Sequence, residues 1–164
     1  VMIERVIGAT KYMEPTRRQA VVDTIADRAE APLPDDLMMT SDQVRALRAA
    51  GMQIGAHTES HPILARLDRA AARREIEHSK HVLEALIGEP VDLFAYPNGK
   101  PIEDYSDASV ALVRDAGFRA AVSTGAGAAD RRSDRYQLPR FTPWDRTRFR
   151  FAARLGLNLW TSRT

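Results

Sequence analysis

The sequence predicts an α/β fold, because short apolar segments that suit β-strands alternate along the chain with amphipathic helical segments. The strand candidates are 52–56, 91–96, 118–123 and 138–141. Strands that alternate with helices form parallel sheets joined by crossovers, and functional groups then gather at the carboxyl ends of the strands. The chain has 164 residues, 44% of them hydrophobic, which suffices for one core and predicts a single domain.

The first helix and strand of this alternation meet at Gly51. Thr40 and Gln43 have the spacing of a capping box, so a helix with one apolar face is expected to begin there. Gly51 suits the left-handed conformation that ends a helix, and a strand is expected to follow it. Along 52–56 apolar residues alternate with others, which points His57 to the face opposite the apolar side chains.

A long amphipathic helix is predicted from Asp68 to about Gly88. Asp68 suits an N-cap, and one stripe at helical spacing carries Ala72, Ile76, Ser79, Leu83 and Leu86. His78 and His81 fall well off this stripe. They are therefore expected to be solvated polar residues without a chemical role.

The second half of the chain continues the alternation. The segment 91–96 is a predicted strand, and a turn at 97–99 closes it. A helix over 106–116 is expected to lead to a strand over 118–123, after which 125–135 is a polar loop. His57 and Asn98 thus both follow predicted strands, at the end where functional groups gather.

The carboxyl-terminal tail carries weaker signals. The segment 138–141 is a candidate short strand, and 143–145 is expected to open a final helix with apolar positions along 149–155. Trp144 and Trp160 are interpreted as packing residues, because large aromatic side chains usually fill cores, and the alternative for Trp144 is stacking on a sugar.

Composition argues against several classes of function. Basic and acidic residues nearly balance, 24 against 22, for a formal net charge of +2. Paired arginines are scattered along the chain, so no nucleic-acid partner is expected in spite of the sequence pI near 9.2. The chain has no cysteine, which excludes disulfides, thiolate metal ligands and a cysteine nucleophile.

The sequence leaves the cellular compartment open. No apolar run approaches the roughly 20 residues needed to cross a bilayer, and residues 1–10 do not resemble a signal peptide. We therefore expect no membrane span. Both a bacterial-type cytoplasm and the cell envelope are compatible with a chain that lacks cysteine.

Two histidines at the end of the first predicted strand are the most informative feature of the chain. His57 and His61 are separated by three residues, and two neutral imidazoles at this spacing can share one divalent metal. Pro62 disfavours helix at the residue before it, so the pair is expected on a loop. The alternative is that both are surface or capping residues.

Four segments resemble signatures of a known family, the polysaccharide deacetylases of carbohydrate esterase family 4, with its NodB-homology domain. The segment 39–67 resembles the second signature of the family, and 75–80 resembles the helix that follows it. The segment 94–99 resembles the third signature, and 138–140 resembles a late strand motif. Their order and spacing together strengthen the metal-site hypothesis.

This resemblance implies a fold, a reaction and a site. The fold is an irregular β/α barrel, here incomplete, and the reaction is hydrolysis of an N-acetyl or O-acetyl group on a glycan. The cofactor is a divalent metal, zinc before cobalt, nickel or manganese, with His57 and His61 as two of its ligands. The Asn98 backbone N–H is implied as the oxyanion donor, although the family usually has an aromatic residue there.

The remaining residues that the resemblance implies lie on the same segments. Tyr96, Pro97 and Gly99 are implied as substrate-binding residues, and Arg140 as a stabiliser of charge. The family often uses a late histidine as general acid, but this chain has no histidine after His81. Arg140 cannot take that role, because a guanidinium does not release a proton at neutral pH.

The front of the chain departs from the family pattern. The family supplies its general base and third ligand from a strand ending in Asp-Asp, and nothing in 1–40 has that form. Asp35 and Asp36 follow a proline and are interpreted as a turn. Residues 1–39 are therefore interpreted as a helical insertion and linker, and 40–164 as barrel βα units without the first one or two strands.

A chain with two of three ligands is expected to bind zinc weakly and to have little or no deacetylase activity alone. The open positions would be filled by water or by a carboxylate from a neighbouring chain. A barrel that lacks strands exposes a sheet edge, which predicts dimerisation.

Two rival hypotheses remain at this point. The first is a non-catalytic glycan-binding or scaffold protein in which the histidine pair is vestigial. The second is an unrelated metallohydrolase that recruits its carboxylate from Asp92 or Asp104.

Overall fold

Three short parallel strands form the sheet of this chain in the computed structural model, which describes residues 2–30, 34, 36–141 and 144–161. They are β1 (Leu93–Ala95), β2 (Ala120–Ser123) and β3 (Leu138–Pro139), in the order β1-β2-β3. Phe94 pairs with Ala121 and Val122 pairs with Leu138. The predicted α/β class and the parallel order are confirmed, and each strand is shorter than its pattern indicates.

The strand predicted over 52–56 is reduced to one bridge between Ala56 and Phe94, so this prediction is wrong in extent. The Ala56 N–H donates to the Leu93 carbonyl at 2.8 Å, and Ala95 returns a bond of 2.9 Å to the Ala56 carbonyl. Two causes oppose a longer strand. The Met52 N–H already donates to the Leu47 carbonyl of the preceding helix. Glycine at position 55 weakens a strand, because it has no side chain to pack and loses more entropy on ordering.

The chain divides into two compact units, Val1–Met52 and Gln53–Thr164. The described residues of the first unit form three helices, namely α1 (Met2–Thr10), α2 (Pro15–Ala29) and α3 (Ser41–Ala49). The predicted capping box of α3 is present, since Thr40 and Gln43 bond reciprocally, and Gly51 has φ +91°. Helix α3 thus ends at the predicted turn, while the domain boundary inferred from the sequence stays a prediction.

In the second unit, a 3-10 turn at Leu64–Arg66 precedes α4 (Arg69–Ile87), and α5 (Asp107–Asp115) connects β1 to β2. The Asp68 carboxylate accepts the Ala71 N–H at 2.7 Å, and Gly88 ends α4 with φ +75°. Both caps of α4 are therefore confirmed.

Helices α4 and α5 pack against each other. The core that they form with the sheet contains Ala72, Ile76, Val91, Phe94, Tyr96, Tyr105, Val110, Leu112, Val113, Phe118 and Ala121. The stripe predicted on α4 therefore faces this core through its buried members, and His78 and His81 are exposed as expected.

The final helix, α6 (Arg148–Thr161), begins later than its pattern indicates. The Thr147 hydroxyl accepts the Arg150 N–H at 3.4 Å, so Thr147 provides the cap. Asp145 instead forms an ion pair with Arg154 at 2.7 Å, and Pro143 lies outside the described residues.

The packing role predicted for both tryptophans is wrong. Trp144 is 79% exposed and Trp160 is 73% exposed. Separately, none of the described helices combines the length and apolar character that a bilayer span requires.

Candidate functional site

His57 and His61 lie together at the carboxyl-end edge of the sheet. His57 follows directly after the residue that bridges to β1, and its ring centroid is 4.9 Å from that of His61, with the ring planes at 73°. Thr58 and His61 both have positive φ, 63° and 56°, so the backbone bends sharply between the two rings. The loop conformation predicted for the pair is therefore confirmed.

A backbone carbonyl fixes the tautomer of His57. The ring Nδ1 lies 2.7 Å from the Ala95 carbonyl oxygen. Because a carbonyl oxygen only accepts, Nδ1 must carry the proton and the neutral ring must present the lone pair of Nε2. A metal-binding histidine usually has this arrangement, with the second ring nitrogen bonded to a carbonyl or carboxylate.

The surroundings of His57 favour its neutral form. Burial lowers the pKa of His57 below its ordinary value of 6.5, and the neighbouring His61 and the guanidinium of Arg140 lower this pKa further. The hydrogen bond to Ala95 opposes the shift only in part. His57 is therefore neutral at physiological pH, which is the state that can bind a cation.

Acidification is expected to destabilise the fold through His57. Its folded pKa lies below 6.5, so the unfolded chain binds more protons in this window and stability falls as the pH drops from about 7 towards 5. Melting temperatures across this range should fall less steeply in His57→Gln than in the unmutated chain. His81→Gln, at an exposed position, is the matched control. Equal slopes in all three proteins would exclude His57 as the cause.

The turn after β1 presents a backbone donor. Asn98 and Gly99 have φ of 58° and 79°. The Thr124 hydroxyl donates to the Asn98 carbonyl at 3.0 Å, and the Thr124 N–H donates to the Gly99 carbonyl at 2.8 Å. Among the described residues none accepts a hydrogen bond from the Asn98 N–H. Its role as a donor to a substrate stays a prediction.

Replacement of Gly99 by alanine is expected to destabilise the turn by about 1–3 kcal/mol. A Cβ at Gly99 would lie 3.0 Å from the Thr124 nitrogen and 3.1 Å from the Tyr96 carbonyl oxygen, at φ +79°. Gly88→Ala is the matched control, because Gly88 has φ +75° and open space around it. Urea unfolding should give the larger loss for Gly99→Ala. Equal losses would show that only the left-handed conformation matters.

The residues next to this turn are buried. Tyr96 is 1% exposed, its hydroxyl donates to the Tyr136 carbonyl at 2.9 Å, and its ring stacks on Tyr105 at 3.9 Å. Burial raises the pKa of the Tyr96 hydroxyl well above its ordinary value. Pro97 and Gly99 are buried as well. Substrate binding by these three residues stays a prediction. Because their side chains are buried, any contact with a substrate would be made mainly by their backbone groups.

Arg140 follows β3 on the same edge. Its N–H donates to the Ser123 carbonyl at 3.0 Å, which continues the pairing of β3 with β2. Its positive charge acts on His57, whose pKa it helps to lower. The structure thus brings Arg140 into the neighbourhood of the histidine pair, and its role there stays a prediction.

In the part of the chain that the structure describes, no third metal ligand accompanies the pair. Within the described ranges, no three His, Cys, Asp or Glu side chains form a group that could hold a metal ion. Asp92 lies 3.3 Å from Arg119, and the buried Asp104 accepts the Lys100 N–H at 2.9 Å. Among the described residues neither Asp92 nor Asp104 forms such a group with the histidines, which contradicts the hypothesis that one of them completes the site. Asp36 is exposed, and Asp35 lies outside the described residues.

A cavity of about 360 Å³ lies at the carboxyl ends of β2 and β3. Its lining residues are Pro101, Tyr105, Ser123, Gly125, Ala126, Ala128, Ser133, Asp134, Gln137 and Pro139. Gly125 follows Thr124, which holds the Asn98 turn, so this cavity adjoins the turn without including the histidines. Hydrogen bonds lower the pKa of the Asp134 carboxyl, chiefly the one from the Tyr136 N–H.

The chain belongs to the polysaccharide deacetylase family, whose model matches residues 9–121. The family inferred from the sequence is thereby confirmed. The comparison with curated proteins gave no match.

Solved structures of deacetylases share the fold. The Streptococcus pyogenes deacetylase PplD, solved with acetate, has a TM-score of 0.61 at 23% identity, over 65% of this chain and 46% of its own. A putative polysaccharide deacetylase of Bacillus anthracis has a TM-score of 0.61 at 21% identity, over 73% and 37%.

IcaB of Ammonifex degensii has a TM-score of 0.58 at 18% identity, over 76% of this chain and 54% of its own. The present chain thus spans about half or less of these proteins, and its fold is an incomplete irregular barrel of their type.

Sequence reasoning missed two groups that organise the site. The first is the Ala95 carbonyl, and the second is Thr124, which donates twice to the Asn98 turn. A backbone carbonyl has no residue-type signature, so only strand pairing reveals it. Thr124 does follow a predicted strand directly, and that position was a usable signal.

Proposed function

We propose that this chain is part of a metal-dependent deacetylase that removes acetyl groups from a glycan, with His57 and His61 as two metal ligands. The observation that carries the proposal is the bond from His57 Nδ1 to Ala95, which leaves Nε2 as a lone-pair donor beside the His61 ring. Two neutral imidazoles fit zinc best, with cobalt, nickel or manganese as alternatives. When bound, such an ion polarises the acetyl carbonyl and activates water.

The chain's own residues have separate tasks in this proposal. The Asn98 N–H donates to the oxygen of the acetyl group as negative charge develops, and a fixed donor of this kind contributes on the order of 3 kcal/mol. Thr124 holds that N–H in place through both of its bonds to the turn. The Arg140 charge favours the same developing anion.

The cavity beside the Asn98 turn suits a sugar ring. Hydroxyl, amide and carboxylate groups line it through Tyr105, Ser123, Gln137 and Asp134. Such groups donate and accept hydrogen bonds as sugar hydroxyls require. We therefore propose that an acetylated glycan extends from the histidine pair along the ends of β2 and β3.

The 164-residue chain alone is expected to release little or no acetate from an acetylated glucosamine oligomer, because two ligands hold zinc weakly. Acetate release should be measured with added zinc, with and without chelator. The same assay should be run on a protein extended upstream to include a strand ending in Asp-Asp, if the gene encodes one. Chelator-sensitive turnover by the chain alone would refute its inactivity, and an inactive extended protein would refute the deacetylase proposal.

The lack of a third ligand among the described residues favours a second candidate, a non-catalytic glycan-binding or scaffold protein of the same fold. The coding sequence upstream of Val1 separates the two. A strand followed by Asp-Asp supports the enzyme, whereas a true start codon near Val1 supports the scaffold.

Dimerisation through the sheet edge also stays a proposal. The described sheet ends at β1 and β3, with a single bridge to Ala56 beyond β1. Unpaired strand edges of this kind readily pair with another chain. Sedimentation velocity at high concentration tests the proposal, and a monomer there contradicts it.

A further inference from the structure

One carboxylate on α4 binds the loop between the two histidines. Glu75 Oε2 accepts the backbone N–H groups of Glu59 and Ser60, each at 2.9 Å. Glu75 Oε1 accepts the Ser60 hydroxyl at 2.6 Å. Glu59 and Ser60 are two of the three residues between His57 and His61, so one side chain accepts three hydrogen bonds from the histidine loop.

This loop needs an external restraint. Thr58 and His61, on either side of the bound residues, have φ of 63° and 56°, a conformation that side-chain-bearing residues rarely adopt. Two successive N–H groups that point to one side form a concave anion site, and a carboxylate fills it well. Charged acceptors make stronger hydrogen bonds than neutral ones. Glu75 therefore stabilises a backbone conformation that the loop sequence alone disfavours.

The helix behind Glu75 is anchored in the core. Ile76, the next residue, is 0% exposed, and Ala72 is 3% exposed. The N-terminus of α4 is also capped by Asp68. The packing of α4 in the core thus fixes the position of the Glu75 backbone. The Glu75 carboxylate in turn holds the histidine loop at a fixed place relative to the core.

A second contact between the loop and α4 is weaker. The Glu59 carboxylate lies 3.5 Å from His78 Nε2, and both side chains are more than half exposed. Exposed pairs of this kind contribute little, and this one needs protonated histidine. Glu75 is therefore the main support of the loop from this helix.

We propose that Glu75 is a positioning residue that sets the separation of the His57 and His61 rings. This inference rests on the proposed function in one respect only, namely that the two rings bind a metal. Glu77 on the same helix offers a matched control. It pairs with Arg73 at 3.2 Å on an exposed surface.

The test compares Glu75→Ala, Glu75→Gln and Glu77→Ala in the full chain without metal and with zinc alone. Glu75→Ala should speed amide hydrogen exchange at Glu59 and Ser60 and weaken zinc binding by about 10–100-fold, the usual effect of losing a residue that orients a ligand. Glu75→Gln should restore most of both, because its amide oxygen can accept the two N–H groups and its NH₂ can donate to the Ser60 hydroxyl. Glu77→Ala should change neither.

The two readouts separate the two proposals. Zinc affinity is measured by competition with a chromophoric chelator, and exchange by nuclear magnetic resonance. If the unmutated chain does not bind zinc, the proposed metal site fails, while exchange at Glu59 and Ser60 still decides whether Glu75 holds the loop. Unchanged exchange in Glu75→Ala overturns the inference. If Glu75→Ala does not fold, Glu75→Gln is judged on the same two measurements. Exchange at Glu59 and Ser60 as slow as in the unmutated chain, together with tighter zinc binding than in His57→Ala, supports the inference. Faster exchange in Glu75→Gln overturns it.

Discussion

His57→Ala is expected to weaken zinc binding by at least about 100-fold, since loss of a residue that merely orients a ligand already costs about 10–100-fold. The reason is specific to this ring. His57 is half-buried, its proton is directed to the Ala95 carbonyl at 2.7 Å, and its pKa is lowered chiefly by burial. The lone pair of Nε2 therefore needs neither deprotonation nor ring rotation before a cation binds.

The matched control for this prediction is His78→Ala. His78 is an exposed imidazole of the same unit, so its removal tests whether zinc binds to histidines in general. Chelator competition near pH 7 should give the unmutated affinity for His78→Ala and a collapse for His57→Ala. A similar small loss in both variants would place the zinc elsewhere and remove the support for the proposed metal site.

The sequence predicted where the histidine pair lies in the fold because local signals specify its position. The caps Asp68 and Gly88 fix the limits of α4 by side-chain chemistry and by a positive φ. The proline after His61 keeps the pair off a helix. These signals depend only on residues close to one another in the sequence, so they can be recognised without knowledge of the tertiary structure.

The groups that organise the site depend on long-range pairing. The Ala95 carbonyl reaches His57 only because Ala56 bridges to β1, and Thr124 reaches the Asn98 turn only because β1 pairs with β2. No spacing rule reports such contacts. The strand predicted over 52–56 was too long for the same reason. Alternation of apolar and other residues describes one segment, and it does not show how many residues of a neighbouring strand can pair with that segment.

The tail shows how one capping residue overrides a pattern. Proline and aspartate at 143–145 have the composition of a helix start, but the Thr147 hydroxyl instead accepts the N–H of Arg150, the third residue of α6. Asp145 is then free to pair with Arg154. Asp145 and Thr147 are both suitable N-cap residues by type, and only the hydrogen bond from Arg150 shows which of them caps α6.

Phe94→Ala is expected to lower the free energy of unfolding by about 3–5 kcal/mol, a large part of the roughly 5–15 kcal/mol that holds a typical domain. Phe94 is 1% exposed at the centre of β1, and its ring contacts those of Tyr96 at 5.3 Å and Phe118 at 5.2 Å. Alanine would leave a cavity beneath the strand that supplies the Ala95 carbonyl. The same change should therefore loosen the support of His57.

Phe149→Ala is the matched control, because Phe149 is 83% exposed and its removal should change stability by no more than about 0.5 kcal/mol. Urea unfolding with an unchanged m-value gives both free energies on one scale. A loss below about 1 kcal/mol for Phe94→Ala would mean that the core closes around the missing ring. In that case the packing of Phe94 is not what holds the Ala95 carbonyl against His57, and the orientation of the His57 ring depends on its loop.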